Sequence, residues 1–196
     1  FQPVSREGGL LLNNFLLTVA AASILLGTLY PLFIDVLGLG KVSVGAPYFE
    51  SVFVPMMIPM ILVMGVAPYL KWKRGDFTSA AAKLKVSAVV TLAGGLLTWI
   101  LIDRASAFAA LGMALALWLF IATLSELAVR IKLFREPIIY SLKSLLRQPR
   151  ASWGMTCAHA GMAIAIAGIT ASSAWRVESI QVMKFGDQVN VAGYTY

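Results

Sequence analysis

Residues 153–175 read WGMTCAHAGMAIAIAGITASSAW, an uncharged run broken only by His159, the one histidine in the chain. About 20 apolar residues at 1.5 Å per residue cross the hydrocarbon core of a bilayer. In lipid every backbone polar group must be satisfied within its own segment, so such a run is read as a membrane-spanning helix. An ionisable side chain inside it is expensive, and those that persist mark a proton path, an ion path or a bound cofactor. Imidazole adds a further possibility, since it ligates haem iron as well as titrating.

The rest of the chain agrees with that stretch. Of 196 residues, 59% are hydrophobic and 13% charged, with a mean hydropathy of +0.81. Soluble domains carry about a quarter charged residues. The pattern predicts an all-α polytopic membrane protein with five transmembrane helices, at about 10–33, 52–70, 86–102, 108–129 and 153–174. The polar connection Asp103-Arg104-Ala105-Ser106 makes spans three and four a helical hairpin. Residues 1–175 are thus read as a transmembrane helical bundle. From 176 to 196 the pattern changes: Ser179-Ile180-Gln181-Val182 and Gln188-Val189-Asn190-Val191 alternate around Phe185-Gly186-Asp187. Alternation about a Gly-Asp break predicts a β-hairpin, the truncated start of a small periplasmic β domain. With no initial methionine and an end inside that pattern, the chain reads as a segment of a longer polypeptide. No signal-peptide pattern occurs.

Charge gives the orientation. Twelve of the sixteen Lys and Arg residues lie at Arg6, between Lys71 and Lys85, and between Arg130 and Arg150. Lys41, Arg104, Arg176 and Lys184 make up the alternate loops and the tail. The positive-inside rule places the first set in the cytoplasm and the tail after Trp175 in the periplasm. The net charge of +7 is therefore topological, and nucleic acid is not an expected partner. Within the second basic loop, Ile138, Ile139, Leu142, Leu145 and Leu146 share one face with Lys143 and Arg147 opposite, which suits an interfacial helix on anionic membrane lipid.

Motifs remove several chemistries. Cys157 is single, so an intrachain disulfide, a CxxC thiol oxidoreductase and covalent CxxCH haem are all excluded for this segment; it reads as a small packing residue. No phosphate loop, HExxH or paired carboxylates are present. What remains lies on the last span. Gly154, Ala158, Gly161, Ala165, Gly168 and Ser172 form a small-residue stripe that admits another backbone at close range. Met155, His159, Met162 and Ile166 form a second stripe at i, i+4, i+7 and i+11. A histidine between methionines, beside a close-contact surface, suits a flat apolar ligand held between helices. A proton relay and a packing histidine bonded to a neighbouring helix are the alternatives the pattern leaves open. Glu126 reads as the partner of Arg130 at i+4, Asn13 and Asn14 as interhelical glue. Pro31 is expected to end the first span, Pro55, Pro59 and Pro68 to kink the second, and the tryptophans to lie mostly in interfacial belts.

Several of these residues also carry a resemblance. Pro3-Val-Ser5-Arg6-Glu7-Gly8 with Leu10-Leu-Leu-Asn13-Asn14, then Gly27-Thr28-Leu29-Tyr30-Pro31, Ser43-Val44-Gly45 and Pro47-Tyr48-Phe49, is similar to the middle portion, towards the C-terminal part, of the CcmF family. His159-Ala-Gly161-Met162-Ala163-Ile164, Gly186-Asp187 and Gly193-Tyr194 continue the likeness over essentially the whole chain; an NrfE-like paralogue shares much of it. The resemblance implies a haem lyase of the bacterial inner membrane, working in cytochrome c maturation. Its implied partners are CcmH-type and CcmI-type subunits, the haem chaperone CcmE and a CxxCH apocytochrome c, with haem as transferred substrate. It further implies a structural haem b held by two membrane histidines. His159 falls at the second and would be an axial ligand to the haem iron. Met155, Met162 and Gly161 are then candidates for haem contact or helix packing. The first membrane histidine and the tryptophan-rich WWD segment with its flanking histidines are not in this chain, so the catalytic residues stay unknown. The alternative is a membrane haem-b or quinone-linked electron-transfer subunit without ligation activity. A proton-coupled transporter, with His159 as relay, is a third reading.

Overall fold

The computed structural model describes residues 3–72, 77–101, 106–133 and 135–196. The first helix, α1 (Arg6–Val36), begins where Ser5 accepts a hydrogen bond from the Gly8 amide at 3.1 Å, with Glu7 in the first turn. A Cβ on Gly8 would run into the Pro3 carbonyl, so the capped start needs glycine there. The helix continues through Pro31, contrary to the expected stop. Its end is set seven residues later by Gly38 at φ +66°. There the Leu39 amide bonds the Ile34 carbonyl and the Gly38 amide bonds that of Asp35, both at 3.1 Å. This is a Schellman close, which requires a left-handed residue just past the helix.

Helix α2 (Ala46–Val66) has Pro47 in its first turn and runs through Pro55 and Pro59; at Pro68 it tightens into one 3₁₀ turn, Ala67–Tyr69. A short helix, α3 (Phe77–Lys83), falls in the first basic loop and was not expected from the sequence. Helix α4 (Lys85–Leu101) has 17 residues. The expected end of the third span at Ile102 and the Asp103-Arg104-Ala105 connection lie outside the described residues, as do Lys73 and Arg74. Next come α5 (Ala107–Arg130), opened by a Ser106 cap, α6 (Ile138–Leu146) and α7 (Arg150–Ala174). Among the described residues, four helices are long and apolar enough to cross a membrane: α1, α2 with its 3₁₀ turn, α5 and α7. The five expected spans thus become four of full length and one shorter apolar helix, α4.

Neighbouring helices run antiparallel. The Arg6 amide meets the Lys71 carbonyl at 3.0 Å, while Tyr48 Oη, in the first turn of α2, donates to the Ser23 carbonyl midway along α1. On α4, Gly95 packs on Ala114 and Gly94 on Leu117 of α5. At one end of α7, Thr156 meets Arg130; at the other, Thr170 packs on Gly112 of α5. Helix α5 is the centre, with Leu115 and Leu119 buried against Ile61 of α2 and Ala163 of α7. Trp118 belongs to this interior rather than to an interfacial belt. It packs over Gly65 and donates from Nε1 to the Leu62 carbonyl at 3.2 Å.

The tail forms a hairpin, but around a later turn than expected. Phe185-Gly186-Asp187 does turn, tied by Asp187 Oδ2 accepting from the Lys184 amide at 2.7 Å. The pairing lies beyond it, between β1 (Asn190–Val191) and β2 (Tyr194–Thr195). Ala192 and Gly193, at φ +53° and +86°, form the two-residue turn whose twist suits adjacent antiparallel strands. Ser179–Val182 is unpaired.

Candidate functional site

The site is built at the end of the bundle where Arg6, Lys71, Arg130 and Arg150 lie. Helix α7 presents Met155, His159 and Met162 to an open-sided cleft of about 390 Å³, whose other walls are α1 and α2. Helix α1 contributes Arg6, Gly9, Leu10, Asn13 and Leu17, an i, i+3, i+4, i+7, i+11 face. Helix α2 contributes Met60, Val63, Met64, Ala67 and Pro68. The lining is thioether and aliphatic carbon, interrupted by three polar groups: the imidazole, the Asn13 amide and the Arg6 guanidinium. Cavities of roughly 300–1,000 Å³ with a few placed polar groups are the usual size for small-molecule sites.

The methionine–histidine stripe read from the sequence is therefore brought together, with Ile166 further along α7 in the core. Gly161 is not in the cleft. It is exposed, and nothing described lies within 4 Å of where its Cβ would be; the same holds for Gly154 and Gly168. The small-residue stripe turns away from the other described helices, and α7 meets α5 through Thr156, Ala163 and Thr170 instead. Cys157 is exposed on that outer side.

The packing-histidine reading requires a bond from His159 to a neighbouring helix. Among the described residues His159 makes none. What it has is a second, smaller pocket on the α5 side of about 10 Å³, shared with Met64, Gly65, Pro68, Ala122, Thr123, Glu126 and Met155. Glu126 does pair with Arg130 as expected. It is not, however, an open border pair: the two side chains are only 16% and 17% exposed, and Arg130 Nη2 reaches Thr156 Oγ1 on α7 at 3.2 Å. Tyr69 completes this polar end by donating to the Ala122 carbonyl at 3.0 Å.

Two participants, Arg6 and Asn13, were not singled out in the sequence as part of a site, while Glu126 was a candidate read chiefly as the partner of Arg130. Arg6 and Asn13 are seven apart, hence on one helical face, which is the signal that associates them. Glu126 beside His159 has no such signal, because the two lie on different helices.

No family model matches the chain, and no solved structure matches it. Curated proteins do. Cytochrome c-type biogenesis protein CycK of Bradyrhizobium diazoefficiens is 39% identical over 194 residues, covering 99% of this chain and 29% of that protein. CycK of Rhizobium meliloti is 37% identical over 195 residues, covering 100% and 29%. CcmF of Escherichia coli is 36% identical over 193 residues, covering 98% and 28%. The chain spans less than a third of the length of these relatives. Within that span, and along nearly all of its own length, it is homologous to the CcmF/CycK cytochrome c-type biogenesis proteins.

Proposed function

We propose that this chain is the haem-b-bearing part of a membrane haem lyase that joins haem to CxxCH apocytochromes c, and that His159 is an axial ligand of the haem iron. The single observation that carries the reading is the cleft itself, an apolar slot with one unbonded imidazole and a guanidinium at its end. That donor set fits haem: imidazole is an iron ligand, Met155, Met162, Met60 and Val63 offer soft apolar contact to a macrocycle, and Arg6 suits its carboxylates. Asn13 is a further donor. Haem bound there supplies one-electron redox chemistry. The chain's own part is to hold the iron through His159, exclude water with the methionine and aliphatic walls, and anchor the anionic edge at Arg6.

In the same reading α4 is a fifth span. Its 17 residues rise about 26 Å, a little under the roughly 30 Å hydrocarbon core. The basic helix ends face the cytoplasm of a bacterial inner membrane, and the hairpin tail faces the periplasm. His159 is nine residues from the start of α7, about 14 Å along the helix, nearer the basic end. Haem at that depth serves electron delivery toward a periplasmic ligation site better than attachment itself. Relatives are named for cytochrome c biogenesis, which favours CcmE, CcmH-type and CcmI-type proteins and apocytochrome c as partners over a free-standing electron-transfer subunit.

The test is a reduced-minus-oxidised spectrum of the full gene product, wild type beside His159→Ala, together with haem staining of periplasmic extracts from a deletion strain. A b-type band lost or shifted in the variant, with covalent cytochromes missing from the deletion, is expected. A haem band without any loss of c-type cytochromes would leave the electron-transfer reading. No haem in either protein would leave the relay.

A further inference from the structure

His159 borders two spaces. One is the large cleft toward α1 and α2; the other is the small pocket toward α5, and Met64, Pro68 and Met155 are common to both. The small pocket's volume of about 10 Å³ is close to that of one water, which needs two to four polar partners. The pocket offers three. Glu126 gives its carboxylate to Arg130, with Nε to Oε1 at 3.1 Å, yet each oxygen keeps a lone pair. Thr123 donates to the Leu119 carbonyl at 2.6 Å and can still accept. The imidazole supplies the third, and the Glu126 carboxylate lines the same pocket.

We infer that Glu126 is a positioning residue for His159, holding the imidazole through one water in the α2–α5–α7 pocket so that the ring presents its other nitrogen to the large cleft. This rests on His159 being the haem ligand proposed above. Metal-bound histidines almost always have a carboxylate, carbonyl or water on the second nitrogen, which fixes the ring and makes it a stronger donor. The stronger donor stabilises the ferric state. The ion pair with Arg130 then has two tasks: it ties α5 to α7, and it fixes the carboxylate that orients the ligand.

The experiment is a redox titration of the haem in the full gene product, comparing wild type, Glu126→Gln, the paired replacement Glu126→Leu with Arg130→Met, and Tyr48→Phe. The last removes a hydrogen bond between the start of α2 and the middle of α1, made by residues outside both pockets. Glu126→Gln is expected to retain haem and to move the ferric–ferrous equilibrium about tenfold toward ferrous, 59 mV upward for a one-electron couple. Tyr48→Phe is expected to leave the potential unchanged. Should Glu126→Gln fail to fold, the paired replacement removes both charges together and is expected to give the same upward shift. An unchanged potential in a folded Glu126 variant that retains haem overturns the inference and leaves Glu126 purely structural. If His159→Ala keeps the wild-type spectrum, the ligand assignment fails first and the role of Glu126 falls with it.

Discussion

The Glu126–Arg130–Thr156 contact gives a quantitative expectation for how α5 and α7 are held together. Both charged side chains are about five-sixths covered, and Arg130 Nη1 is buried with no partner among the described residues. Removing one member of a buried pair leaves an uncompensated charge and costs about 3–5 kcal/mol. The residual exposure at the basic end argues for the lower figure, so Arg130→Met is expected to cost about 3 kcal/mol. Thr156→Val deletes the hydrogen bond across to α7 and is expected to cost about 1.5 kcal/mol, the range for a bond to a charged group. Replacing the pair together, Glu126→Leu with Arg130→Met, is expected to be within about 1 kcal/mol of wild type, since well-packed apolar replacements of buried pairs are often neutral. The cycle then has a coupling energy of at least about 2 kcal/mol, roughly thirtyfold in an equilibrium constant. It is measured by denaturation of the detergent-solubilised protein. Additive single effects, with the double variant as unstable as their sum, would refute the reasoning and make the pair a solvated surface contact.

Other expectations test the core, the tail and the cleft separately. Leu119 is 0% exposed, so Leu119→Ala is expected to cost about 3 kcal/mol through the cavity it leaves; a loss under about 1 kcal/mol would mean α5 is not the centre of the bundle. Ala192 holds φ +53° in the hairpin turn, where glycine carries no penalty. Ala192→Gly is expected to stabilise the hairpin by about 1 kcal/mol, read as slower hydrogen exchange at the Val189 and Tyr196 amides. If haem fills the cleft as proposed, Arg6→Gln should lower the haem-to-protein ratio several-fold without removing the b-type band, because it would weaken the contact to the anionic edge and leave His159 in place. Loss of the band itself would show that Arg6 shapes the cleft rather than meeting the ligand.

Length and apolarity made the long helices legible, since a run of about 20 apolar residues has few alternatives to a spanning helix. Their ends were less so. Pro31 looked like a stop, but a proline inside a membrane helix forfeits one hydrogen bond and need not end it; the capping geometry at Gly38 decides. The hairpin shifted because two turn signals, Gly186-Asp187 and Ala192-Gly193, compete within eight residues, and only the second carries the paired left-handed residues of a two-residue turn.

The site shows the same division at finer scale. A period of 3.6 says which residues share a face, so Met155, His159 and Met162 were correctly grouped, and Arg6 with Asn13 was within reach of the same argument. It does not say which way a face points. The small-residue stripe from Gly154 to Ser172 looked like the packing surface of α7, yet the helix is rotated so that Thr156, Ala163 and Thr170 meet α5. Those three recur every seven residues, and two of them are hydroxyls. In an apolar medium a hydroxyl gains from a partner on the next helix, while glycine and alanine merely permit approach. Arg130 provides that partner at Thr156, and Gly112 gives Thr170 room. Those two contacts fix the face that α7 turns to α5, and the same rotation sets His159 between a ligand-sized cleft and the Glu126 pocket.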